Sequence, residues 1–259
     1  MSMLNKILAR KREEVVQQLA AVPVDQLPER TDGVREFVAA LAQPGLQIIA
    51  EVKRKSPLTG AINANIDPAI LARQYEAGGA AAISVLTDAV DFGGDLEHIK
   101  LVREAVSLPI LRKDFISDTY QIHESFAHGA DAILLIADIL PSDSLSELYD
   151  LAQSLGLHVL LEGYSDAALQ RIHALRPAIA GINARNLTTM EIDLDHMIAR
   201  RADMPGDTLV VAESGVNSTA DIEKIAAAGF DAALIGTALA GSTDPVQKLK
   251  SLINARDVG

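Results

Sequence analysis

Short apolar runs along this chain end on polar residues at the positions where β-strands are expected to stop. The runs with this pattern span residues 48–53, 110–114, 159–162, 179–185 and 210–214. Burying a charged side chain in an apolar wall is costly unless the charge is paired or neutralised. Parallel barrels place their functional groups at the carboxyl ends of the strands. The pattern therefore predicts an enzyme whose charges gather at one rim of a barrel.

Three similar segments indicate the repeat of the fold. Gly79, Gly129 and Gly229 each follow a helix-like stretch and precede a buried apolar run, so each is a candidate left-handed helix end. These glycines lie 50 and then 100 residues apart, which indicates a strand-plus-helix unit of about 25 residues. The chain from residue 47 onwards has room for eight such units, which favours a closed (β/α)8 TIM barrel. An open, doubly wound parallel sheet is the alternative.

The expected boundaries of the elements follow from this repeat. We expect the eight strands to begin at Gln47, Ala81, Pro109, Asp131, His158, Ile179, Leu209 and Asp231. Between them, the pair Asp67-Pro68 is typical of a helix N-cap followed by the first helical residue. The segments 144–147 and 218–221 each place an acidic residue three positions after a serine, which is the spacing of a capping box or a close variant.

Residues 1–45 precede the first predicted strand and do not fit the repeat. An amphipathic helical face in this segment is formed by Leu4, Ile7, Leu8, Val15 and Leu19. Basic residues at positions 6 and 10–12 border that face. We expect a helix packed over the barrel, in one domain that comprises the extension (1–45) and the barrel (46–259). A helix lying on a membrane surface is the alternative, although Glu13 and Glu14 dilute its positive charge.

Composition narrows the classes of function. A formal net charge of −12 argues against nucleic acid as the main ligand, because phosphate neutralisation needs a basic face. The chain has no Cys, which excludes disulfides, thiolate nucleophiles and Cys-based metal sites. No apolar run approaches the about 20 residues that span a bilayer, and the N-terminus lacks the apolar core of a signal peptide. We expect a cytoplasmic protein that binds neither nucleic acid nor a membrane.

The candidate catalytic and substrate-orienting side chains at the predicted strand ends are Glu51, Lys53, Lys113, Glu162, Asn183 and Arg185. Alternation along a strand places Glu51 and Lys53 on one face, and the same argument pairs the residues at 183 and 185. If these faces point inwards, the side chains converge at the barrel mouth. Crowded ionisable groups in a partly dry cleft acquire different pKa values and act as an acid and a base. The alternative is that each is a strand-end charge that reaches water.

Two glycine turns after the last two predicted strands are candidates for binding an anion. They are Ser214-Gly215 and Gly236-Thr237. Glycines let backbone amides approach an anion, and barrels often bind a phosphate at this pair of loops. Such turns are also common where nothing binds. The basic loop 54–60 is either a lid over an anionic substrate or a surface loop without a role.

Several segments together resemble a known family. They are EVKRKSP (51–57), SVLT (84–87), LRKDF (111–115), GINARNL (181–187) and AESG (212–215). In this order they resemble the signature segments of indole-3-glycerol phosphate synthase, and the resemblance covers essentially the whole chain. It implies a barrel enzyme of tryptophan biosynthesis that uses no metal and no cofactor. It also implies the phosphosugar substrate 1-(2-carboxyphenylamino)-1-deoxyribulose 5-phosphate, which closes to indole-3-glycerol phosphate with loss of carbon dioxide and water.

The resemblance further implies a role for each candidate residue. Lys113 is expected to be the general acid for the ketose carbonyl, and Glu162 the partner acid–base group. Lys53 is expected to assist, with Glu51 setting its charge state. Asn183, Arg185 and Ser214 are expected to orient the substrate. The expected phosphate ligands are Gly215, Gly236 and Thr237, with Ser56 nearby on the lid. The expected aromatic-ring pocket is formed by Phe92, Phe115, Leu134 and Leu234.

Some positions depart from the family pattern, and other functions remain open. The departures are Lys55, Leu58-Thr59, Asp95 and Asn186, all in the lid or around the site. One rival is a Schiff-base aldolase that uses Lys53 or Lys113, and another is a phosphosugar-binding regulator without catalysis. The neighbouring isomerase of the same pathway is disfavoured, because its acid–base pair usually includes a Cys. We expect a monomer or a weak homo-oligomer.

Overall fold

A computed structural model describes residues 3–56, 60–61 and 66–256 of the chain, without the side chains of residues 56 and 61. The strands are β1 (Gln47–Val52), β2 (Lys55–Ser56), β3 (Gly60–Ala61), β4 (Ala82–Leu86), β5 (Ile110–Lys113), β6 (Ala132–Ile136), β7 (His158–Gly163), β8 (Ile179–Asn183), β9 (Leu209–Glu213) and β10 (Ala232–Ile235). Strands β2 and β3 form a short antiparallel pair after β1.

The other eight strands form a closed parallel barrel. Strand β1 pairs with β4 on one side and with β10 on the other, which closes the sheet. The predicted (β/α)8 barrel is therefore confirmed, and the open doubly wound alternative is wrong. Each barrel strand begins at the predicted residue or one residue after it.

Helices follow the strands around the barrel. They are α1 (Met3–Ala21), α2 (Phe37–Leu41), α3 (Pro68–Gly78), α4 (Ala89–Phe92), α5 (Glu97–Ala105), α6 (Thr119–Ala127), α7 (Ser142–Ser154), α8 (Asp166–Leu175), α9 (Leu194–Arg200), α10 (Thr219–Ala227), α11 (Thr237–Ala240) and α12 (Pro245–Ala255). The first two belong to the extension that precedes β1. None of the described helices is long and apolar enough to cross a membrane.

Most of the local helix signals act as expected. The side chain of Asp67 caps α3, and Ser218 forms a capping box with Asp221 at α10. The repeated glycines have positive φ angles of 95°, 87° and 80°. The predicted capping box at 144–147 is wrong, because α7 already begins at Ser142 behind Pro141. Proline fixes its own φ near the value that suits a helix start, so the chain turns into the helix before Ser144 is reached.

The barrel interior explains why polar groups gather at one end. Alternate strand residues such as Ile49, Leu111, Leu160 and Val211 point inwards and form a buried cluster. Two residues further along their strands, the same inward face carries polar side chains. The carboxyl ends of the strands therefore bring polar side chains together above the apolar cluster that fills the barrel interior.

The extension packs against the barrel, as expected, but with a different inner face. Ile7 and Val15 of α1 are buried, whereas Leu19 is 43% exposed. Lys11, expected at the border of the apolar face, is buried instead because two buried carboxylates face it. The structure therefore places this helix over the barrel, as expected.

Candidate active site

A cavity of about 270 Å³ opens at the carboxyl end of the barrel. Its lining includes every candidate site residue except Ser56: Glu51, Lys53, Phe92, Lys113, Phe115, Leu134, Glu162, Asn183, Arg185, Ser214, Gly215, Leu234, Gly236 and Thr237. The side chain of Ser56 and the residues Leu58 and Thr59 lie outside the described part of the chain. Met3, Leu4 and Ile7 of α1 also line the cavity, so the extension forms part of its wall.

Lys113 and Glu162 form the centre of the site. The Lys113 ammonium donates a hydrogen bond to Glu162 Oε2 at 3.1 Å, and Asn183 Nδ2 donates to Glu162 Oε1 at 2.9 Å. Burial disfavours the charge of Lys113, but the surrounding carboxylates outweigh it and raise its pKa. Burial likewise opposes ionisation of Glu162, but the Lys113 ammonium and the Asn183 amide lower its pKa. The two groups therefore form a charged pair in a water-poor cavity.

Glu213 is a central residue that the sequence analysis did not select. Its carboxylate lies 3.4 Å from the Lys113 ammonium and beside Glu162. Among the described residues, no donor makes a hydrogen bond of good geometry to either of its oxygens. Burial, followed by repulsion from Glu162, raises the pKa of Glu213 well above its usual range. Two carboxyl groups in such contact titrate as a pair that holds one proton.

Glu51 and Lys53 form a second charged pair across the mouth. Lys53 Nζ lies 2.7 Å from Glu51 Oε1. Alternation along β1 and the residues that follow it places both side chains on the inner face, as predicted. The cavity therefore holds two ammonium groups, each next to a carboxylate.

The apolar part of the cavity lies beside these charges. The ring centroids of Phe92 and Phe115 are 6.2 Å apart, and both rings line the cavity. Leu134 of β6 and Leu234 of β10 belong to the inward-facing apolar cluster and also line the cavity. One side of the cavity is thus suited to a flat apolar group, as an aromatic ring requires.

Arg185 is held at the rim by its own loop. Its backbone N–H donates to Asn183 Oδ1 at 2.8 Å, and its guanidinium donates to the Met190 carbonyl at 3.0 Å. Burial lowers its pKa. Since one carbonyl bond does not use all guanidinium donors, the side chain retains donors for a ligand.

The predicted anion-binding turns also lie at the cavity. Ser214 has a φ of 68° and Gly215 a φ of 79°, so the backbone turns sharply after β9. Gly236 precedes α11, which begins at Thr237. Successive backbone N–H groups in such turns form concavities that bind anions.

A buried ionic cluster connects the extension to this site. Lys11 Nζ lies 2.8 Å from Asp114 Oδ1 and 3.1 Å from Asp88 Oδ2. On its other side, Asp114 contacts Arg112 at 3.2 Å. Burial opposes the charge of Asp114, but Arg112 and Lys11 lower its pKa to about 2. Since Lys113 lies between the residues of this cluster in the sequence, the cluster fixes the backbone that carries it.

The described departures from the family pattern lie outside the charged centre. Lys55 Nζ donates to the Val90 carbonyl at 3.0 Å, which connects the loop after β1 to α4. Asp95 and Asn186 accept hydrogen bonds from backbone N–H groups of their own turns. Within the described residues, no group of three or more acidic or His side chains is arranged to hold a metal ion.

Solved structures with little sequence similarity share the fold. A 3-hexulose-6-phosphate synthase from Salmonella typhimurium is 13% identical with a TM-score of 0.66, and covers 81% of this chain and 98% of its own. A tryptophan synthase subunit alpha from Legionella pneumophila is 16% identical with a TM-score of 0.61, and covers 86% of this chain and 99% of its own. These likenesses support the fold alone.

Sequence comparison identifies the family. The family model for indole-3-glycerol phosphate synthase matches residues 4–252. An indole-3-glycerol phosphate synthase from Rhodopirellula baltica is 42% identical over 257 residues, which cover 98% of this chain and 99% of the relative. One from Rhodococcus jostii is 43% identical over 258 residues, which cover 98% and 96%. The chain therefore belongs to the indole-3-glycerol phosphate synthase family.

Proposed function

We propose that Lys113 and Glu162 form the acid–base pair with which this chain carries out the reaction of its family. In that reaction a carboxyphenylamino deoxyribulose phosphate closes to indole-3-glycerol phosphate and releases carbon dioxide and water. The observation that carries the assignment is the 3.1 Å contact between Lys113 Nζ and Glu162 Oε2 in the cavity at the carboxyl end of the barrel, which has an apolar side.

Ring closure needs a proton donor at the ketose carbonyl. When the aromatic carbon attacks, a carbon–carbon bond forms and the carbonyl electron pair moves onto oxygen. The Lys113 ammonium donates a proton to that oxygen, and the carboxylates around it keep it charged beforehand. Acid–base assistance of this kind contributes about 10²–10⁴-fold to a rate.

Loss of carbon dioxide restores the aromatic ring. The bond to the carboxyl carbon breaks, and its electron pair returns to the ring, so no external electron acceptor is needed. Phe92 and Phe115 pack the ring against an apolar wall, where a carboxylate is poorly solvated.

Dehydration completes the indole. The new hydroxyl leaves as water, with a proton from Lys53, whose ammonium is paired with Glu51. The Glu162 carboxylate accepts the proton from the neighbouring carbon, and Asn183 holds that carboxylate in place. Glu213 stands beside Glu162 and shares its proton.

The remaining residues hold the substrate. Arg185, Asn183 and Ser214 orient its polar groups at the rim. Gly215, Gly236 and Thr237 bind the phosphate through their turns, and Ser56 is assigned to the same phosphate site by the resemblance to the family. Leu134 and Leu234 complete the apolar wall for the ring.

The charge of Lys113 argues against an aldolase that uses this lysine. A Schiff base requires a neutral amine as the nucleophile. The pKa of Lys113 is raised because the carboxylates around it outweigh burial, so its amine is protonated at neutral pH. In this protonated state Lys113 carries the proton that the ketose oxygen receives.

The extension and the barrel work as one domain, supported by the cavity wall that α1 supplies. We propose a cytoplasmic enzyme, monomeric or weakly associated, that needs no cofactor and binds no nucleic acid. The net charge of −12 supports the last point.

Fluorescence of the product provides the test. Because the chain has no Trp, the indole of the product gives a signal that the protein lacks. We expect this signal, with one carbon dioxide per product, on mixing protein and substrate. Lys113→Ala and Glu162→Ala should each lower the rate by at least about 10²-fold. Lys100→Ala, on the exposed face of α5, is the matched control and should leave the rate unchanged.

Two outcomes would contradict the proposal. Binding of the substrate without release of carbon dioxide would favour the regulator. A covalent adduct on Lys53 or Lys113 after borohydride treatment in the presence of a ketose phosphate would favour the aldolase.

A further inference from the structure

Gly181 lies on the inner face of β8, where the carboxylate of Glu213 occupies the space of a side chain. Strand alternation directs Ile179, Gly181 and Asn183 into the barrel. A Cβ atom on Gly181 would lie 2.1 Å from Glu213 Oε1 and 3.2 Å from Glu213 Cδ. No side chain fits at this position while Glu213 keeps its place.

The backbone of Gly181 gives no other reason for a glycine. Its φ angle does not lie in the left-handed region that favours glycine. In the regular parallel register of the sheet, Gly181 lies opposite Glu162 of β7 and Val211 of β9. The requirement therefore comes from the carboxylate above it. Leu160 Cδ1, 3.3 Å from the same Cβ position, limits any sideways movement.

A second glycine has the same relation to a second carboxylate. A Cβ atom on Gly236 would lie 2.1 Å from Glu51 Oε1. Each of these two carboxylates thus lies against a glycine, Gly181 within the neighbouring strand β8 and Gly236 directly after the neighbouring strand β10. Gly236 also belongs to the proposed phosphate site, so a substitution there would affect ligand binding as well as the carboxylate. A substitution at Gly181 tests the placement of the carboxylate alone.

The protonation of Glu213 depends on its distance from the neighbouring charged groups. The titratable groups facing it are Glu162 of β7 and Lys113 of β5, with the Glu51–Lys53 pair across the mouth. Strands β8 and β10 contribute only uncharged groups to this part of the cavity. A displacement of about 1 Å is enough to separate groups that share a proton, and catalytic geometry responds strongly to such displacements.

We propose that Gly181 is a positioning residue that seats the carboxylate of Glu213 next to Glu162 and Lys113, so that the two carboxylates share one proton. This inference rests on the proposed function, because it assigns Glu213 to the same acid–base group. A methyl group at position 181 pushes the carboxylate of Glu213 away from Glu162. It also changes the distance between that carboxylate and the ammonium of Lys113.

A double-mutant cycle between positions 181 and 213 tests this inference. In the wild-type background, Gly181→Ala should lower kcat by at least about 10-fold and change the pH dependence of kcat, since a misplaced acid–base group loses part of its contribution. In the Glu213→Ala background the space is vacant, so the same change should lower kcat by less than about 2-fold. Equal factors in both backgrounds would overturn the proposal.

Two further measurements keep the test decisive. Gly78→Ala on α3 crowds Leu249 instead of a carboxylate and should leave kcat and its pH dependence unchanged. If Gly181→Ala unfolds or Glu213→Ala is inactive, the melting temperatures of the four proteins replace kcat. Glu213→Ala should then restore most of the stability that Gly181→Ala removes, and a failure to restore it overturns the proposal.

The failure of this inference is distinguishable from the failure of the proposed function. A wild-type protein that forms no product contradicts the function. A wild-type protein that turns over, with additive effects at positions 181 and 213, contradicts only the role of Gly181.

Discussion

The ammonium of Lys11 lies 2.8 Å from a carboxylate oxygen of Asp114, although one residue belongs to the N-terminal helix and the other follows a barrel strand. Both side chains are buried. The contact connects the extension to the backbone that carries Lys113. Charge as well as apolar packing therefore connects the extension to the rim of the barrel that carries Lys113.

Replacing Lys11 tests how much this contact contributes. Lys11→Met keeps the length of the side chain but leaves Asp88 and Asp114 with one cation fewer. Removal of one partner from a buried ion pair costs about 3–5 kcal/mol. Because Arg10 and Arg112 still contact the two carboxylates, we expect a loss of about 3 kcal/mol. Urea unfolding measures the free-energy difference.

A surface lysine on the same helix is the control. Lys6 is exposed, so Lys6→Met should change the free energy of unfolding by less than about 0.5 kcal/mol. A Lys11→Met protein as stable as wild type would mean that the ionic cluster does not hold the extension.

Asp114 should also contribute to acid unfolding. Its pKa falls from its ordinary value of 3.8 to about 2, because Arg112 and Lys11 outweigh the effect of burial. A lowered pKa stabilises the folded state fully above the unfolded value, and this stabilisation is lost as the pH falls from about 4 to about 2. The contribution is about 2 kcal/mol.

The pH dependence of Asp114→Asn measures this contribution. The stability difference between wild type and Asp114→Asn should be largest at pH 5 and above, and should shrink by about 2 kcal/mol towards pH 2. Asp150→Asn, at an exposed position of α7, is the control and should change the free energy of unfolding by less than about 0.5 kcal/mol. A constant difference for Asp114→Asn would contradict its lowered pKa.

The sequence predicted the barrel because its signals are local. The helix-ending glycines and the apolar runs each occur within a few residues, and their spacing gives the repeat without knowledge of the fold. The strand ends followed from the same runs. The helix start at Ser142 was missed because the serine–acid spacing at 144–147 is a short pattern that also occurs inside a first turn.

Glu213 and Lys11 were missed for different reasons. Glu213 had a signal in the sequence, because it lies two residues after the inward Val211 and alternation places it in the cavity. The neighbouring Ser214 was chosen instead. Lys11 had no such signal, since its partners Asp88 and Asp114 lie far away in the chain. Only the folded structure identifies them.

Glu213→Gln should gain stability relative to wild type as the pH rises, although its kcat is lower. Burial and the neighbouring Glu162 raise the pKa of Glu213 above its ordinary value of 4.5, so the folded state binds a proton that the unfolded state releases. The resulting stabilisation is present below about pH 4.5 and is lost as the pH rises, by up to about 1.4 kcal/mol per pH unit. An amide at this position does not ionise, so Glu213→Gln does not lose this stabilisation as the pH rises.

The test measures the free energy of unfolding of wild type and of Glu213→Gln between pH 5 and pH 9. The stability of Glu213→Gln relative to wild type should increase with pH, while its kcat falls. Glu147→Gln, at an exposed position of α7, is the control and should change the free energy of unfolding by less than about 0.5 kcal/mol. A Glu213→Gln protein that loses stability relative to wild type as the pH rises would contradict the raised pKa.

Ser214 combines a strained backbone with a place in the cavity, and two substitutions separate these properties. Its φ of 68° is unfavourable for any residue with a Cβ atom and costs about 1–2 kcal/mol relative to glycine. Ser214→Ala and Ser214→Gly both remove the hydroxyl, so both should lower kcat/KM by a similar factor. Only glycine relieves the backbone, so Ser214→Gly should be about 1 kcal/mol more stable than Ser214→Ala in urea unfolding. If the two variants were equally stable, the backbone at Ser214 would not be strained, and if the two kcat/KM values differed strongly, the backbone rather than the hydroxyl would position the substrate.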